Sequence, residues 1–129
     1  MGNVSLVGCS GFISLPPATL TSLSAVTETG MERLALTDAD KTVRDWFVEE
    51  AKGLGCNVTV DEMGNIFAVR PGTKPDLPPI YAGSHLDTQP TGGRYDGILG
   101  IMAGLEGLRV LQENDIRTSH PIGLVNWTR

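Results

Sequence analysis

Ile80-Tyr81-Ala82-Gly83-Ser84 is a short apolar run, introduced by Pro78-Pro79 and without long alternation. That pattern predicts a strand buried on both faces. Downstream, Ile98, Met102, Leu105 and Leu108 recur at helical spacing with Ile101 and Leu111 beside them, which predicts a helix over 97–112. Ile122-Gly123-Leu124-Val125-Asn126-Trp127 then reads as a last strand. A helix crossing between two apolar strands implies that they run parallel. These segments decide the class: α/β, with a partial mixed sheet and flanking helices.

Working upstream, Thr37-Asp38-Ala39-Asp40 has the composition of a helix start. Thr37 can cap free N–H groups, Asp40 stands where the acidic end of a capping box stands, and both aspartates favour the positive end of the helix dipole. Val43, Phe47, Ala51 and Leu54 continue as one apolar face, and Gly53 and Gly55 stop it. Trp46 lies beside that stripe and is expected to pack in the core. Cys56-Asn57-Val58-Thr59-Val60 and Ile66-Phe67-Ala68-Val69-Arg70 flank the turn residues Asp61 to Asn65, so 56–70 reads as a β-hairpin. Gly100, Gly104 and Gly107 sit inside the second helix, where each costs ~1 kcal/mol relative to Ala. Gly100 and Gly104 are one turn apart, which predicts close packing on the sheet; Gly107 has no such explanation.

A length of 129 residues suits one domain. Residues 1–30 carry one charged side chain, Glu28, and lack the basic residues of a targeting signal, so they read as a weakly structured leader before a folded part at 31–129. The net charge of −5 disfavours a nucleic-acid partner. No apolar run reaches the ~18–20 residues of a membrane span. Two cysteines, Cys9 and Cys56, make no disulfide framework, which fits a reducing compartment, with the cytoplasm as the default.

The chemistry is concentrated in Gly83-Ser84-His85-Leu86-Asp87-Thr88-Gln89-Pro90-Thr91-Gly92-Gly93-Arg94-Tyr95-Asp96-Gly97. A strand ends here, where open α/β sheets place their ligands. In extended chain His85 and Asp87 leave the same face. A metal-bound imidazole commonly gives its other N–H to a carboxylate, which makes Asp87 a candidate to orient His85. Asp96, at the mouth of the helix, could bind a metal or bridge two. A His at a strand end is ordinarily a satisfied polar residue, and Gly-Gly marks only a turn. The combination of all these features in one block is the specific signal.

That block resembles the zinc-dependent amidohydrolase and peptidase superfamily known as the M20 group. The short Gly92-Gly93-Arg94-Tyr95-Asp96-Gly97 segment is similar to its N-carbamoyl-amino-acid hydrolase branch, which includes β-ureidopropionase, L-carbamoylases and allantoate amidohydrolase. The resemblance runs from about Met31 to Thr128. It implies the N-terminal portion of a zinc-exopeptidase-like catalytic domain and hydrolysis of a carbamoyl or ureido C–N bond in a small substrate such as an N-carbamoyl amino acid. In the complete family enzyme it implies two divalent ions, Zn2+ or Mn2+, with His85 as a ligand of one and Asp96 bridging both. Asp87 would orient His85, and a cis peptide would join Asp96 to Gly97. A bridging water would attack the carbonyl with a glutamate as general base. Arg94 reads either as a solvated turn residue or as a contact to a substrate carboxylate.

The family pattern continues after Asn-Trp-Thr with a Glu-Glu pair, whereas here Asn126-Trp127-Thr128 is followed by Arg129. The later histidine ligands and the dimerisation domain of the homodimeric family members have no counterpart in these residues either, and His120 reads as ordinary surface. The expectation is therefore a truncated chain with weak or no metal binding, no activity alone, and exposed sheet surface that favours marginal stability or association. Two alternatives stand beside it: an M20-type aminopeptidase or dipeptidase, and a non-catalytic remnant that binds a partner subunit.

Overall fold

The structure is a computed structural model and describes residues 30–129. The expected leader, Gly30 apart, lies outside the described residues, as does Cys9. In chain order the elements are β1 (Gly30–Met31), α1 (Asp38–Gly53), β2 (Asn57–Val60), β3 (Ile66–Arg70), β4 (Ile80–His85), β5 (Gly92–Gly93), α2 (Ile98–Glu113) and β6 (Ile122–Trp127).

The two helices start differently. Thr37 caps α1, its hydroxyl accepting from the Asp40 N–H. The return contact differs from a standard capping box: the Asp40 carboxylate accepts from the N–H of Leu36, one residue before the cap. Gly97 caps α2 without any side-chain bond. In the hairpin turn the exposed Asp61 carboxylate accepts from the N–H groups of Met63 and Asn65 and from the Asn65 amide. These bonds to the ionised form hold its pKa below the usual carboxylate value.

Four strands form one sheet in the order β2-β3-β6-β4. The first two pairings are antiparallel and β6–β4 is parallel, so α2 is the crossover between parallel neighbours. Val43, Phe47 and Ala51 of α1 and Ile101, Leu105 and Leu108 of α2 share one core with Ile66, Ala68 and Leu124 of the sheet, with Trp46 packed against it. The α2 glycines explain the close fit. A Cβ on Gly104 would overlap Leu124, and one on Gly100 would stand 2.7 Å from the Ser84 Cβ, whereas Gly107 faces open space.

One strand expectation is corrected. β4 is not buried on both faces: Ile80 and Tyr81 are 56% and 47% exposed. β4 lies at an end of the strand order, so its apolar composition does not bring two covering layers. Across the sheet from the helices, Phe67 meets Tyr81 and Trp127 edge to face. No helix among the described residues is long and apolar enough to cross a membrane.

Candidate functional site

The parallel pairing sets His85 opposite Trp127 at the C-terminal ends of β4 and β6. From there the chain passes through the buried residues Leu86, Asp87 and Thr88 before the Gly92-Gly93 turn. A small second sheet positions that turn: β5 pairs antiparallel with β1, Gly30 against Gly93 and Met31 against Gly92. Arg33, two residues after β1 and buried, ties the same segment down. Its guanidinium donates from Nε and Nη2 to the Leu86 carbonyl at 2.9 and 2.7 Å. Its main chain exchanges bonds with Thr88, whose hydroxyl accepts from the Arg33 N–H and whose N–H donates to the Arg33 carbonyl. Burial lowers the Arg33 pKa, and the charges of Asp40 and Asp87 oppose that shift. Asp40, buried in turn, has its pKa raised chiefly by desolvation.

His85, Asp87 and Asp96 converge at this end of the sheet. His85 Nδ1 lies 2.9 Å from the Asp87 carbonyl oxygen and 3.3 Å from the Asp87 carboxylate. The carbonyl can only accept, so Nδ1 donates to it and Nε2 is left to face outward. The sequence suggests Asp87 as the orienting residue through its carboxylate; the nearer contact is its main chain. His85 Nε2 faces Asp96 Oδ1 at 3.8 Å. Two donors bound to one cation at ~2.0–2.2 Å stand about 3–4 Å apart, so this pair fits a shared divalent ion. Among the described residues no group of three or more His, Cys, Asp or Glu side chains could hold a metal.

The Asp96–Gly97 peptide is trans, as are all peptides of the described residues. Gly97, at φ 72° and ψ −50°, is the centre of a γ-turn in which the Ile98 N–H donates to the Asp96 carbonyl at 2.8 Å. A Cβ at Gly97 would overlap the His85 ring. The Gly97 carbonyl also accepts from the Ser84 hydroxyl at 2.7 Å, tying the mouth of α2 to β4.

Sequence reasoning missed two residues. Arg33 reaches the site from 53 positions away from Leu86, and no local pattern announces it. Arg129 closes the cluster from the other side, its Nε 3.5 Å from Asp87 Oδ2 and its Nη2 3.8 Å from Asp96 Oδ2. A concavity of about 400 Å³ opens beside it, lined by Leu34, Ala35, Asp87, Thr88, Pro90 and Arg129 among others. Arg94 is half-buried in the turn. His120 bonds the Pro78 carbonyl near the opposite end of β4, away from the cluster.

No protein-family model matches the chain. It is 50% identical over 99 residues to an N-carbamoyl-L-amino-acid amidohydrolase of Rhizobium meliloti, covering 77% of this chain and 24% of the relative. It is 30% identical over 109 residues to a ureidoglycolate hydrolase of Arabidopsis thaliana, covering 84% of this chain and 23% of that enzyme. A solved hydantoinase/carbamoylase family amidase from Burkholderia multivorans superposes with a TM-score of 0.84 at 50% identity, over 88% of this chain and 28% of the amidase. The chain thus spans about a quarter of the length of the relatives it matches.

Proposed function

We propose, since this chain is homologous in sequence and fold to the N-carbamoyl-amino-acid amidohydrolases, that it forms part of a metal-dependent hydrolase of linear carbamoyl or ureido C–N bonds. The observation that carries the reading is the geometry of His85, with Nδ1 held by Asp87 and Nε2 facing Asp96 at 3.8 Å. His85 Nε2 and the Asp96 carboxylate would hold a divalent ion, Zn2+ or Mn2+. Such an ion, when bound, polarises a carbonyl and lowers the pKa of water to near neutrality.

The chain's own residues do the positioning. The Asp87 carbonyl fixes the His85 tautomer. Arg33 and Thr88 hold the 86–88 segment still, and Gly97 lets the mouth of α2 close on the imidazole. The small molecules that fit the family are N-carbamoyl amino acids and related ureido compounds. Two donors fall short of the three or four protein ligands of a stable zinc site. The 129 residues alone are therefore expected to bind metal weakly and to leave N-carbamoyl-β-alanine intact.

The test is a chimera in which residues 30–129 replace the matching segment of the Rhizobium meliloti relative. It should release the amino acid from an N-carbamoyl amino acid. His85→Ala and Asp96→Asn should each lower turnover by at least a hundredfold while the chimera stays folded. A folded chimera indifferent to both substitutions would refute the reading.

A further inference from the structure

We infer that Arg129 is an internal counter-cation for the Asp87–Asp96 pair and competes with a divalent ion for it. The inference rests on the reading of His85 and Asp96 as metal donors and concerns what stands at that site without a metal. A single guanidinium approaches both carboxylates, Nε to Asp87 Oδ2 at 3.5 Å and Nη2 to Asp96 Oδ2 at 3.8 Å. Asp87 is only 8% exposed, and a buried carboxylate requires a compensating charge. The ionisable groups around it are His85, Arg33, Asp40 and Arg129. Arg33 also acts on Asp87 through its charge, but it bonds the Leu86 carbonyl and is buried in the interior. Arg129 follows the end of β6, and its side chain is 41% exposed, so it can swing away at little cost.

A divalent ion between His85 Nε2 and Asp96 would neutralise the carboxylate that Arg129 now approaches. Two cations within a few ångströms repel, and the low dielectric near buried Asp87 strengthens that repulsion. Binding of the ion therefore requires Arg129 to release Asp96. The arginine offsets the repulsion between the two carboxylates without metal, and it lowers the apparent affinity for metal.

The test is calorimetric titration of Zn2+ into the 129-residue chain, with thermal melts to show that each variant is folded. Arg129→Ala should tighten zinc binding about three- to tenfold, the size of two partly exposed ion pairs. Arg129→Lys, which keeps the charge without the fork, should fall between Arg129→Ala and the parent. His85→Ala should abolish binding in every background. Equal affinity of Arg129→Ala and the parent would overturn the inference while leaving the metal reading intact. Weaker binding by Arg129→Ala would overturn it also, by making the arginine a support of the site. Zinc binding indifferent to His85→Ala would overturn both, and binding absent even in Arg129→Ala would overturn the inference.

Discussion

Gly97 rests against the ring of His85, and any side chain there would overlap the imidazole. The same residue holds φ at 72°, a conformation that costs an ordinary L-residue of order 1–3 kcal/mol. Gly97→Ala is therefore expected to destabilise the fold by at least about 1–3 kcal/mol and to displace His85 Nε2 from Asp96. Urea denaturation reads the first effect, and the histidine ring shifts in NMR read the second. An unchanged imidazole environment would show that the contact does not position His85.

The two helix glycines Gly104 and Gly107 should respond in opposite directions. Gly104→Ala drives a methyl into Leu124 in the core and is expected to cost about 1–3 kcal/mol through overpacking. Gly107→Ala meets no atom within 4 Å and should gain about 0.5–1 kcal/mol of helix propensity. Paired thermal melts decide both, and a loss on Gly107→Ala would contradict the open space seen there.

Arg33→Met removes the two donors that hold the Leu86 carbonyl while keeping an apolar stem of similar length. A hydrogen bond from a charged group is worth about 1.5–3 kcal/mol, and a buried carbonyl left bare adds to the loss. The variant should melt earlier by that amount. It should also loosen the 86–88 segment, visible as faster amide exchange at Thr88, whose N–H bonds Arg33. Unchanged exchange at Thr88 would show that the side chain does not hold the segment.

Burial pushes the Cys56 thiol up from 9.0 to about 11. The folded state therefore disfavours the thiolate. The thiol's contribution to stability is complete below pH 9 and is lost as pH rises from about 9 towards 11. Cys56→Ala should flatten the alkaline limb of the stability–pH curve, and the parent thiol should resist alkylation at pH 8 until the chain unfolds. Rapid alkylation of the folded chain would contradict this.

The elements were legible where periodicity reports local geometry. The Val43-Phe47-Ala51 stripe, the Asp61–Asn65 turn and the α2 face appear within a residue or two of their expected places. The parallel β4–β6 pair followed from chain order alone. The exposure of β4 was not legible, because an apolar run records composition and not what covers it. The nearness of His85 to Asp96 came from one compact motif, and both ends of that motif lie on segments the sequence could place. Arg33 and Arg129 could not be found in this way. Each reaches Asp87 or its neighbours through tertiary contact, and neither sits in a pattern that marks it.

The central claim is that His85 and Asp96 are donors to one metal ion. Diffraction from crystals soaked in millimolar zinc, collected at the zinc absorption edge, tests it most directly. The account predicts an anomalous peak ~2.0–2.2 Å from both His85 Nε2 and an Asp96 carboxylate oxygen, with Arg129 turned away. Zinc held by other side chains, with His85 Nε2 and Asp96 bare, would contradict it.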